Sequence, residues 1–129
     1  MSDPTPKLLI VEDDLSSQQY YTIILSDLYD LTIVANVENA KQVIQETEFS
    51  LAIIDISLPG DEDGIDLIKF LVNEHTQKLP AIAITAHAFP QNREDTMKAG
   101  AVDFFTKPVL SGILIEAIEK YIQSHKEVS

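Results

Sequence analysis

Glu12, Asp13, Asp14, Asp55, Thr85 and Lys107 are the residues of this 129-residue chain whose types and positions suit charge and phosphate chemistry. Glu12-Asp13-Asp14 follows the apolar run Leu8-Leu9-Ile10-Val11, and Asp55 follows Leu51-Ala52-Ile53-Ile54. Thr85 follows Ala81-Ile82-Ala83-Ile84, and Lys107 comes shortly after Val102-Asp103-Phe104-Phe105. Two carboxylates about 4 Å apart repel by about 4 kcal/mol at an effective dielectric near 20. If Glu12, Asp13 and Asp55 meet, a proton or a cation must join them. A hard divalent cation with oxygen ligands answers that need, because Mg²⁺ takes one or two protein carboxylates and leaves positions for phosphate oxygens. A hydroxyl and an ammonium nearby would complete a site for a phosphoryl group. Each residue also has an ordinary use. Acidic residues after a strand cap helices, and Asp14 fits that role; Thr85 suits a strand or a cap; Lys107 suits a solvated loop.

The elements between these residues decide whether they can meet. Apolar runs at residues 8–11, 31–35, 51–54, 81–84 and 102–105 read as strands. Segments of helical period separate them. Tyr20, Ile24 and Leu28 mark one face of a first helix over residues 15–28, and Asn36 is placed to cap a second carrying Ala40, Val43 and Ile44. A Pro-Gly-acidic loop over residues 59–64 precedes a third helix with Ile65, Ile68, Leu71 and Val72. Residues 90–99 form a fourth, and residues 111–124 a fifth, with Leu114, Ala117, Ile118, Tyr121 and Ile122 facing inward. Five successive β-α units predict an α/β fold with right-handed crossovers and a mainly parallel sheet. The carboxyl ends of such strands share one edge, where ligands bind.

Nine basic against twenty-one acidic residues give a net charge of −12, which argues against direct contact with nucleic acid or anionic membrane. Without cysteine, disulfides, thiol catalysis and thiolate-bound zinc are excluded. The N-terminal residues lack the basic and apolar regions of a signal peptide, and no apolar run approaches the ~20 residues of a membrane span. The expectation is a single cytoplasmic domain over residues 7–125, with residues 1–6 disordered and no output domain attached. Glycine-rich nucleotide fingerprints, histidine metal spacing and a nucleophilic-serine elbow are missing from the sequence.

Taken together, Ile10-Val11-Glu12-Asp13-Asp14, Ile54-Asp55-Ile56-Ser57-Leu58-Pro59, Ile84-Thr85-Ala86 and Thr106-Lys107-Pro108 resemble the receiver domain of bacterial two-component response regulators. The likeness runs from about Lys7 to Tyr121. It implies a flavodoxin-like, CheY-like three-layer (βα)5 sandwich with strand order 2-1-3-4-5. It also implies that Asp55 is the phosphoacceptor, attacking a phosphohistidine on a histidine kinase or phosphotransfer protein. Asp13 would bind Mg²⁺ (or Mn²⁺) directly, Glu12 through water, and Ser57 through its backbone carbonyl. Lys107 would pair with a phosphate oxygen, and the Lys107-Pro108 bond is cis in many relatives. Thr85 would turn toward the phosphate, and Phe104, where relatives often carry Tyr, would move inward; ordinary core packing is the alternative for Phe104. The moving surface would be the fourth helix, fifth strand and fifth helix.

Two features depart from the common pattern. The loop over residues 59–64 is one residue longer than usual, and Ser57 and His87 occupy positions that tune phosphoryl lifetime in the family. For His87 an exposed loop histidine is the other reading. The chain is thus expected to be a non-enzymatic phosphorylation switch. It would act on an unknown downstream protein, as a monomer or as a dimer formed on phosphorylation. A phosphate-independent interaction module on the same fold is the alternative. A phosphatase of the related aspartyl-phosphate kind is disfavoured, because Ser57 stands where those enzymes place a second Asp.

Overall fold

The structure, a computed structural model, describes residues 5–57, 63–74, 79–86 and 89–128. His87 and most of the acidic loop over residues 59–64 lie outside the described residues. Strands β1 (Lys7–Val11), β2 (Asp30–Val34), β3 (Leu51–Asp55), β4 (Ala81–Thr85) and β5 (Asp103–Thr106) form one parallel sheet of order β2-β1-β3-β4-β5. Helices α1 (Leu15–Leu25), α2 (Val37–Glu46), α3 (Gly64–Lys69), α4 (Pro90–Ala99) and α5 (Ser111–Val128) alternate with them. This is the expected topology.

Strand periodicity divides the core in two, because successive side chains point to opposite faces of a sheet. Leu9, Val11, Ala52, Ile54, Ala81, Ala83 and Phe104 face α2, α3 and α4. Leu8, Ile10, Leu51, Ile53, Ile82 and Ile84 face α1 and α5. Both faces are covered, which explains why β1, β3 and β4 are apolar at nearly every position. At the two predicted caps, Asp14 accepts from the Ser17 amide at 2.9 Å and Asn36 from the Asn39 amide at 2.8 Å. Asp63 and Asp66 close a reciprocal capping box at the start of α3.

The structure corrects three local expectations. The first helix ends at Leu25 rather than residue 28, and its buried residues are Tyr21 and Leu25, whereas Tyr20, and Leu28 beyond the helix, are exposed at 36% and 48%. Aromatic and aliphatic residues occur there as adjacent pairs, Tyr20-Tyr21 and Ile24-Leu25, so a four-residue period fits either register. The third helix passes into a π-helical turn over Phe70–Glu74. Val72 in that turn packs against Gly100, which ends α4 with φ of +118°. The last helix continues to Val128, beyond the predicted residue 124.

Gly64 is where the fold meets the site. A Cβ at this position would strike the Asp55 carbonyl oxygen and come 2.5 Å from Ile56 Cα. The Gly64 amide also donates to the Ile56 carbonyl at 3.3 Å. Glycine is required because backbone lies directly against it. Gly112, in the first turn of α5, has nothing within 4 Å of such a Cβ. Gly64→Ala should therefore lose about 2–4 kcal/mol in urea unfolding, while Gly112→Ala stays within about 1 kcal/mol of the parent.

Candidate functional site

Strand register brings the chemistry together. Val11 pairs with Ile54, so Glu12 emerges level with Asp55. Asp55 in turn pairs with Ile84, which places Thr85 one step beyond on the neighbouring strand. Thr85 pairs with Thr106, and Lys107 follows. The Lys107 amide donates to the Thr85 carbonyl at 2.8 Å and holds the lysine at the sheet edge.

Glu12 is 1% exposed and Asp55 7%, while Asp13 is exposed. One carboxylate oxygen from each lies within 4.8 Å of the others. Lys107 Nζ answers this charge. It sits 2.6 Å from Glu12 Oε1 and 3.2 Å from Asp55 Oδ2. The other oxygens are held by backbone. Asp55 Oδ1 accepts from the Ser57 amide at 2.8 Å, and Glu12 Oε2 from the Asp14 amide at 3.1 Å. Gln18 on α1 donates through Nε2 to the Glu12 carbonyl at 2.6 Å, tying the helix to the end of β1.

Burial pushes the Glu12 carboxyl above its ordinary range; Lys107 and the Asp14 amide oppose that shift, and the Asp55 charge adds to it. Burial alone would pull Lys107 down, but the contact with Glu12 and the charges of Asp55 and Glu12 outweigh it, holding the ammonium above its ordinary value. Lys107 is therefore a fixed positive charge at neutral pH. At 2.6 Å the Lys107 ammonium satisfies Glu12 Oε1. A buried carboxylate, an adjacent one and an exposed third, with one ammonium among them, make a donor set that fits a hard divalent cation.

Thr85 is fully buried, and Phe104 is buried in the α2–α4 half of the core. Arg93 of α4 places its guanidinium carbon 5.6 Å from the centre of the Phe104 ring. Ser57 is exposed. Its amide contact with Asp55 was not foreseen, since backbone amides leave no mark on residue type. Lys107-Pro108 is cis. Among the described residues, no helix is long and apolar enough to cross a membrane.

Residues 8–119 match the family described as the response regulator receiver domain. The chain is 34% identical over 113 residues to the response regulator protein PilR of Pseudomonas aeruginosa, covering 87% of this chain and 25% of that protein. It is 33% identical over 127 residues to the transcriptional regulatory protein KdpE of Staphylococcus aureus, covering 95% of this chain and 54% of that protein. It thus spans between a quarter and about half the length of these relatives. Among solved structures, a CheY-like response regulator receiver domain protein from Methanospirillum hungatei JF-1 superposes with a TM-score of 0.88 at 27% identity, covering 98% of this chain and 100% of that one.

The raised carboxyl of Glu12 sets a pH dependence. A folded-state value above the ordinary 4.5 means that the native protein binds this proton more tightly than the unfolded chain. The contribution favours folding below 4.5 and is lost as pH rises through the folded value. Without metal at pH 7, Glu12→Gln should therefore be more stable than the parent. The difference should vanish below pH 4.5. Mg²⁺ should stabilise the parent more than the variant, which urea midpoints with and without the ion will show.

Proposed function

The chain belongs to the response regulator receiver domain family of two-component signalling, and from that premise we propose that Asp55 accepts a phosphoryl group from a phosphohistidine on a histidine kinase or phosphotransfer protein. The observation that carries the reading is Lys107 Nζ standing between Glu12 and Asp55, with Asp13 at the rim of the same cluster. An Asp55 oxygen forms a bond to phosphorus as the phosphorus–nitrogen bond breaks, and the nitrogen's electron pair remains on the partner's imidazole. The Ser57 amide and Lys107 hold the two Asp55 oxygens from separate directions, so the carboxylate is oriented before the donor arrives.

Glu12, Asp13, Asp55 and the Ser57 carbonyl are the groups that would hold Mg²⁺ or Mn²⁺, with Glu12 acting through water. The ion, when bound, neutralises charge on the transferring phosphoryl group. After transfer, Lys107 pairs with a phosphate oxygen and Thr85 donates its hydroxyl to another. The Thr85 side chain leaves space toward Phe104, and the Arg93–Phe104 contact passes any ring movement to α4. The surface of α4, β5 and α5 is thereby the output. Ser57 and His87 set the lifetime of the phosphoryl group through access of water. The chain catalyses only its own modification.

Intact-mass analysis after treatment with acetyl phosphate and Mg²⁺ tests the reading. The parent should gain the mass of one phosphoryl group, and the gain should disappear on chelation and in Asp55→Asn. A parent that never gains this mass under donor excess would remove Asp55 as acceptor.

A further inference from the structure

Lys107 must reach across the sheet edge from a loop, and that loop is tied at two points. One is the Lys107 amide on the Thr85 carbonyl, at 2.8 Å. The other is the Tyr20 hydroxyl on α1, which donates to the Val109 carbonyl at 2.6 Å across 89 positions of sequence. Val109 is buried in the same half of the core as Tyr21 and Leu25 of α1, which anchors the loop beyond this point. Pro108, between the two, has no amide to offer. Beneath the loop lies a groove of about 230 Å³ whose lining includes Tyr20, Lys107, Val109 and Leu110. That space would let the loop sag toward α1 if the hydroxyl were removed.

These contacts close a ring. It runs from Glu12 through the capping carboxylate of Asp14 into α1, along α1 to Tyr20, across the hydroxyl to Val109, and back through Lys107 to Glu12. From this ring we infer that Tyr20 is a positioning residue for Lys107, fixing where the ammonium stands relative to the acidic cluster. The inference rests on Asp55 being the phosphoacceptor. Tyr20 itself touches no reacting atom. Its hydroxyl acts through one backbone carbonyl, two residues from the lysine. Because α1 begins at the acidic cluster, any partner that leans on this helix also bears on the lysine loop.

The test is a double-mutant cycle on the rate of Asp55 labelling by acetyl phosphate at saturating Mg²⁺. Tyr20→Phe keeps the ring and removes only the hydroxyl. It should slow labelling about three- to tenfold, the range of one lost hydrogen bond. In a Lys107→Ala background the same substitution should have less than about a twofold effect, because its target is gone. Thermal midpoints of all four proteins confirm that each is folded at the assay temperature. Equal slowing in both backgrounds would overturn the inference and leave Tyr20 a structural contact, as would no slowing in the parent background. A parent that is not labelled at all, or an Asp55→Asn variant that is, would instead strike the acceptor assignment.

Discussion

Three carboxylates at the ends of two adjacent strands cannot share one crevice without a positive charge among them, and the rest of the structure is arranged around meeting that demand. In this structure Lys107 meets it, 2.6 Å from Glu12 and 3.2 Å from Asp55. The arrangement is asymmetric. Glu12 is buried and its carboxyl raised by that burial, whereas Asp13 stands exposed at the rim. Removing Lys107 would leave the carboxylates uncompensated, whereas removing one carboxylate relieves the excess of negative charge. The same tension gives the site its chemistry. Carboxylates held close against their repulsion are a fitting donor set for a divalent cation, and under the proposed function an incoming phosphoryl group would find both an oriented acceptor and a counter-charge.

The fold supplies the rigidity this needs. Register alone sets Glu12 beside Asp55 and Thr85 one step beyond, because both faces of the sheet are packed with aliphatic side chains and a strand cannot slip without turning them into the wrong layer. Gly64 lies directly on the backbone of Asp55 and Ile56, so the start of α3 is seated against Asp55. Tyr20 joins the helix that begins at the acidic cluster to the loop that carries the lysine. Asp55, the carboxylates of Glu12 and Asp13, and Lys107 are thus held by separate elements that meet at one edge.

Much of this was legible in the sequence. The alternation of apolar runs with helical segments located all five strands within a residue or so. Of the polar residues ending those runs, Glu12, Asp13, Asp55 and Lys107 meet in one cluster. What was hidden depends on geometry that residue types do not encode. The adjacent pairs Tyr20-Tyr21 and Ile24-Leu25 allow two helix registers, and only packing against β1 and α5 selects Tyr21 and Leu25 for the core. The π-helical turn at Phe70–Glu74 accompanies the contact of Val72 with Gly100, a tertiary event. The resemblance implies a role for the Ser57 carbonyl, whereas the contact of its amide with Asp55 follows from backbone path alone. The pairing of Lys107 with Glu12 as well as Asp55 needed the loop path, which no local pattern predicts.

If Lys107 occupies the place of a metal ion's charge, the two cations compete for the same carboxylates. Calorimetric titration of Mg²⁺ into the parent and into Lys107→Ala measures that competition directly. The account predicts tighter Mg²⁺ binding once the ammonium is gone, because Glu12 and Asp55 are then left without a counter-charge. Equal or weaker binding in the variant would contradict it, showing that the lysine and the carboxylates do not form one electrostatic unit.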